Sequence, residues 1–211
     1  YYDANDGHPS YLLINDGRGM FVDATESSNL AELRLRRSYS GSFVDLDDDN
    51  AIDLAVVSDF AGVEFYRNDG KGRFENVTED WVGDRHGFGM AHSAADFDGD
   101  GHLDFLMIGM NSSTADRLNA MGLDRDGENG GLDHRTSMTF GNRLFLRRFD
   151  GKRFEQTSLG QSIRRSGWSW GCSAFDWDND GFLDVYVANG HESKESVRDY
   201  ETGFWLHDIF V

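Results

Sequence analysis

Asp96-Phe97-Asp98-Gly99-Asp100-Gly101-His102-Leu103-Asp104 reads D-x-D-x-D-G-x-x-D, and the pattern returns twice. One further copy is Asp45-Leu46-Asp47-Asp48-Asp49-Asn50-Ala51-Ile52-Asp53. The other is Asp176-Trp177-Asp178-Asn179-Asp180-Gly181-Phe182-Leu183-Asp184. In chain order these are loop 1 (45–53), loop 2 (96–104) and loop 3 (176–184). Each copy sets four motif carboxylates within nine residues. Charges of one sign crowded that closely repel one another unless a cation lies among them. Hard oxygen donors on a flexible loop suit Ca²⁺, which takes ~6–8 oxygens at about 2.3–2.6 Å.

The expected ligands follow position by position. Position 1 offers Asp45, Asp96 and Asp176; position 3 offers Asp47, Asp98 and Asp178; position 5 offers Asp49, Asp100 and Asp180. Position 7 offers a backbone carbonyl, from Ala51, His102 or Phe182. Position 9 closes the set with Asp53, Asp104 and Asp184, expected to be bidentate. Position 6 needs a tight turn, which suits Gly101 and Gly181, with Asn50 the best substitute for glycine. Position 8 is apolar each time and anchors the loop to a core. An EF-hand shares the first half of this pattern but needs a bidentate Glu at position 12. Here that position holds Val56, Met107 and Val187, inside short apolar runs that read as buried strands. Each loop therefore joins two β-strands.

A second repeat interleaves with the first. Leu12-Leu13-Ile14-Asn15-Asp16-Gly17 returns as Phe65-Tyr66-Arg67-Asn68-Asp69-Gly70, and in worn form as Leu146-Arg147-Arg148-Phe149-Asp150-Gly151. Asn-Asp-Gly between two β-rich runs is a hairpin signal. Asp16 to Asp69 spans 53 residues and Asp45 to Asp96 spans 51; the next intervals are 81 and 80. Both repeats lengthen together, so one unit carries an insertion of about 30 residues. The unit is strand, acidic loop, strand, strand, hairpin, strand. Four antiparallel strands in about 50 residues is the period of a propeller blade.

The fold expected is all-β, a β-propeller segment of about three blades. Residues 1–25 form a partial blade, 38–80 one blade, 87–158 a second with an insertion at 111–141, and 166–211 another partial blade. In the insertion, Ser113 or Thr114 is expected to cap a short helix over 115–121. Asp124-Arg125-Asp126-Gly127-Glu128 resembles a damaged acidic loop. Asn76-Val77-Thr78 and Asn111-Ser112-Ser113 match glycosylation sequons by pattern alone.

Composition narrows the function. The chain has 211 residues, 38% hydrophobic, enough for a substantial core. Its formal charge of −18 would fall to about −12 with three Ca²⁺ bound, which argues against nucleic-acid phosphates as partners. No apolar run reaches transmembrane length. The single cysteine, Cys172, leaves the redox compartment open.

Catalytic signatures are missing: there is no G-x-S-x-G, no phosphate-binding glycine loop and no H-E-x-x-H. Seven histidines are scattered, with His92 and His102 near loop 2 and His191 and His207 beyond loop 3. Trp168, Trp170, Phe175, Trp177 and Phe182 read as blade core. Arg34-Leu35-Arg36-Arg37 and Arg164-Arg165 read as solvated faces.

The loops with their flanks, Gly89-Met90-Ala91-His92-Ser93-Ala94-Ala95-Asp96 and Trp168-Ser169-Trp170-Gly171-Cys172-Ser173-Ala174-Phe175-Asp176, resemble FG-GAP/VCBS repeats. Val187-Ala188-Asn189-Gly190-His191 and the Asn-Asp-Gly hairpins are more specifically similar to the ASPIC/UnbV, cartilage-acidic-protein-like branch. The resemblance implies a seven-bladed, calcium-binding, extracytoplasmic propeller used for adhesion or assembly. It carries the family's loop ligands onto the four Asp of each loop. The expectation is thus a calcium-stabilised, non-enzymatic binding or assembly module at a cell surface, outside the cell or in the periplasm. Its partner would be another protein chain or a surface glycan, with further blades or neighbouring subunits covering the open edges. A propeller lyase or hydrolase, or a purely structural subunit, is the alternative.

Overall fold

The computed structural model describes residues 2–123, 131–148 and 153–190. The Asp124–Glu128 segment, the third hairpin tip with Asp150, and His191 and His207 lie outside them. The described chain is all-β in its framework, built of four antiparallel sheets.

The first blade is β3 (Arg37–Val44), β4 (Asp53–Asp59), β5 (Gly62–Asn68) and β6 (Phe74–Asn76), hydrogen-bonded in that order. The second is β7 (Gly89–Ala95), β8 (Asp104–Gly109), β9 (Arg143–Arg147) and β10 (Phe154–Gln156). A leading hairpin, β1 (Leu13–Asn15) with β2 (Phe21–Asp23), precedes them. A trailing pair, β11 (Ser169–Phe175) with β12 (Asp184–Asn189), follows. These four sheets are partial and complete blades of a β-propeller.

Registers repeat between the blades. Leu54 lies opposite Tyr66 as Phe105 lies opposite Phe145. Asn68 lies opposite Phe74 as Arg147 lies opposite Phe154 and Asn15 opposite Phe21. The long segment between β8 and β9 therefore leaves blade pairing undisturbed: Phe105, Leu106 and Met107 still meet Phe145, Leu144 and Arg143. In a four-stranded meander the first and third connections share one end. The acidic loops thus sit beside the Asn-Asp-Gly hairpins, and the insertion lies at the opposite end.

The insertion carries two helices, α2 (Ser113–Ala120) and α3 (Gly131–Met138), after a single turn α1 (Thr78–Trp81) earlier in the chain. The N-cap of α2 is Ser112, whose hydroxyl accepts the Ala115 N–H at 3.1 Å, one residue before the expected cap. Ala115, Leu118 and Met138 close a small cluster with Phe88 and Met110, against which Phe60 and Trp168 pack.

Alternation places one set of each strand's side chains on each neighbouring sheet. Ala55, Val57, Val63 and Phe65 of the first blade meet Phe105, Met107, Phe145 and Phe154 of the second. Phe65 stands edge-on to Phe105, with centroids at 5.0 Å, and stacks on Phe154 at 4.9 Å. The second blade's other face, Leu106, Ile108, Leu144 and Leu146, receives Cys172, Val185 and Val187 of the trailing pair.

The outer strands β2 and β6 end in the same turn. Asp23 Oδ1 accepts the N–H of Thr25 at 2.9 Å and its hydroxyl at 2.6 Å; Asn76 Oδ1 does the same for Thr78 at 3.0 and 2.6 Å. The threonine oxygen then accepts the N–H of Leu12 or Phe65. In Asn76-Val77-Thr78 the threonine is buried, so that sequon is accounted for by the turn.

Two expectations need correction. Arg36 is not on a solvated face. It is 4% exposed, bonds Glu64 at 3.0 Å and Asp3 at 2.9 Å, and donates to the Ala4 carbonyl. Burial of that guanidinium is tolerated because two carboxylates and two carbonyls surround it. Arg164 is half-buried, its guanidinium 4.0 Å from the Phe140 ring centre. The aromatic residues around loop 3 also differ: Trp168 is partly buried, but Trp170, Phe175, Trp177 and Phe182 are exposed. Among the described residues no sheet packs on that side.

Candidate metal centres

Three carboxylate clusters form, one per loop. Asp45, Asp47 and Asp53 offer oxygens within 4.8 Å of one another, as do Asp96, Asp98 and Asp104, and Asp176, Asp178 and Asp184. Positions 1, 3 and 9 converge each time. Position 5 does not join them: Asp49, Asp100 and Asp180 instead accept the N–H of Ala51, His102 and Phe182 at 2.7, 2.9 and 2.9 Å. That bond orients the position-7 peptide within the loop.

The loops are pre-shaped by their backbone. Asp45 Oδ2 accepts the Asn50 N–H at 3.0 Å, Asp96 Oδ2 the Gly101 N–H at 2.9 Å, and Asp176 Oδ2 the Gly181 N–H at 3.0 Å. Position 6 is left-handed in every copy, with φ of 66° at Asn50, 88° at Gly101 and 91° at Gly181. So is position 4, with φ of 58° at Asp48, 77° at Gly99 and 62° at Asn179. Asp, Gly and Asn are the residues that tolerate this region best, a signal present in the sequence.

The position-9 aspartate ties each loop to its blade. Its Oδ2 accepts the position-2 N–H, from Leu46 at 3.0 Å, Phe97 at 2.9 Å and Trp177 at 3.2 Å. Its Oδ1 reaches across the sheet to the third strand: Asp53 to the Asn68 N–H and Asp104 to the Arg147 N–H, both at 2.8 Å. Both oxygens of Asp53 and Asp104 thus carry one N–H already, and each keeps a lone pair for a cation.

Burial pushes the Asp53 and Asp104 carboxyls above their ordinary range. The loop N–H groups pull them back, and the neighbouring Asp47 and Asp49, or Asp98 and Asp100, push them up again. Asp45 Oδ1 is buried and meets no hydrogen-bond donor among the described residues. An anionic oxygen left so is costly, and a hard cation is the group that satisfies it. The donor set therefore fits a calcium-type ion. Asp45, Asp47 and Asp53, with their counterparts, would hold it and receive a charge that cancels their mutual repulsion.

Loops 1 and 2 touch. Asp48 Oδ2 lies 2.7 Å from His102 Nδ1 and 2.7 Å from Arg147 Nη1 of the second blade. Loops 2 and 3 lack such a bridge, since Gly99 stands at the place of Asp48 and Phe182 at that of His102.

Among the described residues the histidines do not assemble a centre of their own. His92 stacks on Phe105 at 4.9 Å, and its Nε2 lies 2.7 Å from Ser42 Oγ. Its buried Nδ1 meets no orienting carboxylate among the described residues, and burial pushes its pKa down to about 4. Ser42 and His92 are therefore a cross-blade polar contact without the third group of a triad.

A profile of FG-GAP-like repeats matches residues 45–107 and 134–187, more than half of the chain. The chain belongs to the FG-GAP-like repeat family. No curated protein matches it. FG-GAP-like repeats often bind calcium, commonly serve binding or adhesion, and occur in extracellular or surface proteins. No helix among the described residues is long and apolar enough to cross a membrane.

Proposed function

We propose that this FG-GAP-like segment is a calcium-stabilised, extracytoplasmic binding or assembly module of the cartilage-acidic-protein-like branch, without catalytic activity. It takes one Ca²⁺ per loop, three in all. The observation that carries this is the threefold convergence of positions 1, 3 and 9 on a left-handed loop, with Asp45 Oδ1 buried and lacking a donor among the described residues. The position-7 carbonyls of Ala51, His102 and Phe182 complete the coordination, with Asp49, Asp100 and Asp180 turning toward the ion the oxygen that the position-7 N–H leaves free.

Calcium has a structural role here. The unfolded chain can spread its carboxylates apart, whereas the folded loop cannot, so the ion binds the folded state preferentially. The partner is another protein chain or a surface glycan, met through the blade faces and edges that the described residues leave open. Nucleic acid is disfavoured by the formal charge of −18. Calcium at millimolar extracellular levels fits such acidic loops.

The test is direct metal analysis. Protein stripped of metal, returned to calcium and dialysed should carry about three ions per chain by atomic absorption. One ion or none overturns the reading.

A further inference from the structure

The acidic loops of the two complete blades are tied together by a carboxylate that belongs to neither ligand set. Asp48 is position 4 of loop 1, between Asp47 and Asp49, at a left-handed φ of 58°. Its side chain leaves its own loop. Oδ2 accepts a hydrogen bond from His102 Nδ1 at 2.7 Å. It also lies 2.7 Å from Arg147 Nη1, as an ion pair rather than an aligned hydrogen bond.

Both of these partners hold ligand groups of loop 2. His102 is position 7, whose carbonyl faces the ion in the reading above and whose N–H is fixed by Asp100 at 2.9 Å. Arg147 gives its N–H to Oδ1 of Asp104, the position-9 ligand, at 2.8 Å. We propose that loops 1 and 2 bind calcium as a cooperative pair, with Asp48, His102 and Arg147 as the positioning residues that couple them, and that loop 3 fills independently. This rests on the calcium reading above and adds to it an order of filling.

The sign follows from which side of the bridge is soft. Arg147 is fixed in β9 opposite Phe154, its side chain 3% exposed; the Asp48 side chain is 50% exposed on a loop. In an empty loop 1, Asp48 sits between two like charges that repel each other. An ion held by Asp47 and Asp49 pins the residue between them. Asp48 is then fixed against His102 and Arg147, so part of the ordering that loop 2 requires has already taken place. Coupling of this kind is positive, and it is reciprocal. Repulsion between the two ions opposes it, but each filled loop keeps four aspartates around one Ca²⁺ and stays negative. Salt at about 0.15 M screens such exposed charges over ~8 Å.

The next pair of loops is a control within the same chain. Strand β7 packs against both β3 and β11, so loop 2 stands to loop 3 as loop 1 stands to loop 2. There Gly99 has no side chain to extend, and Phe182 has no polar group to receive it.

The test is a calcium titration of the metal-free chain in about 0.15 M salt, followed by amide NMR. The N–H groups of Asn50, Gly101 and Gly181 each bond the position-1 aspartate of one loop, so they report the three sites separately. Loops 1 and 2 should fill together with a Hill coefficient above one, and loop 3 along a simple one-site curve. Asp98→Ala, which removes a loop 2 ligand, should weaken loop 1 about fivefold or more, and Asp47→Ala should weaken loop 2 by a similar factor. Neither should move loop 3. Asp48→Asn keeps a residue that tolerates left-handed φ; it should leave three ions bound and make loops 1 and 2 independent. If a ligand variant fails to fold, wild type against Asp48→Asn decides alone. Three ions filling independently in wild type, or cooperativity unchanged in Asp48→Asn, overturns the pairing and leaves the calcium reading standing. No shift at any of the three amides, at calcium well above the ~1 mM of weak extracellular sites, overturns both.

Discussion

Position 2 of the acidic loop is apolar in all three copies, yet Leu46 is 1% exposed and Trp177 is 69% exposed. The backbone around them is the same: each N–H is held by the position-9 carboxylate of its own loop. What differs is the neighbouring sheet. Leu46 has the second blade against it, and Trp177 has no described sheet on that side. Local loop geometry is therefore written into each repeat, whereas burial is a property of the pair of repeats. The same division holds for charge. Loop 1 is bridged to the next blade through Asp48, His102 and Arg147, while Asn179 of loop 3 has no such bridge among the described residues.

The broadest test of this division is removal of calcium, which acts on all loops alike. Calcium at one hundred times its dissociation constant adds ~2.7 kcal/mol per independent site. A domain of this size shifts its melting temperature by about 2–4 °C per kcal/mol. Chelation should therefore lower the melting temperature by about 10 °C or more in calorimetry. An unchanged melt, with the ions shown to be gone, would break the structural role of the loops.

The comparison itself is tested by two truncations at one loop position. Leu46→Ala opens a cavity in a filled interface and should cost about 2–5 kcal/mol. Trp177→Ala removes a side chain with no described sheet behind it and should change stability by about 0.5 kcal/mol or less. Denaturant titration of both variants decides the matter; equal losses would mean that the open face is covered.

A smaller effect isolates the bridge between loops. Asp48 and Asn179 both sit at left-handed φ, so glycine relieves the backbone equally at each. Asp48→Gly also removes the carboxylate facing His102 and Arg147, and should cost about 1–2 kcal/mol net. Asn179→Gly should be neutral or slightly stabilising. Calcium titration should show loop 1 and loop 2 weakened together by the first change and loop 3 untouched. Loss at loop 1 alone would remove the coupling from the account.

Much of this architecture was legible in the residues because repeats report themselves. Two patterns that lengthen in step, to intervals of 80 and 81 residues, pointed to both the blades and the insertion. The left-handed turn at position 6 followed from Gly101, Gly181 and Asn50. The same turn at position 4 was equally visible in Asp48, Gly99 and Asn179, but three different residue types hide a shared φ. The aromatic residues of loop 3 read as core because their spacing is that of core residues; spacing does not say whether a neighbour is present. Arg36 was misplaced for the converse reason. Its carboxylate partners, Asp3 and Glu64, are distant in sequence, and no local pattern marks a guanidinium that will be enclosed.

The last prediction uses pH to locate the same asymmetry. His92, at the fourth residue before loop 2, is pushed down to about 4 by burial against the first blade. Cys172, four residues before loop 3, is pushed up to about 11 and stays neutral below neutral pH. Only the first interface should therefore respond to mild acid through this position. Asp59, at the end of β4, is pushed up to about 6 by burial, with Arg37 drawing it back. The two groups have opposite signs. The unfolded chain protonates a histidine near pH 6.5 and the folded chain only near 4, so stability falls as pH drops through that window. For Asp59 the folded chain takes up its proton near pH 6 and the unfolded chain near 3.8. Its stability contribution is fully present below about 3.8 and is lost as pH rises through 6. Wild-type protein should thus show partial cancellation between pH 4 and 6. Asp59→Asn should be more stable than wild type at pH 7, by about 1–2 kcal/mol since the group is part-exposed. That advantage should vanish by pH 4, where wild-type Asp59 is itself protonated; His92 is common to both proteins and cancels from the difference. Urea denaturation of wild type and Asp59→Asn from pH 4.5 to 7.5 reads the difference directly. A difference that is constant across the range would place the titration elsewhere in the molecule.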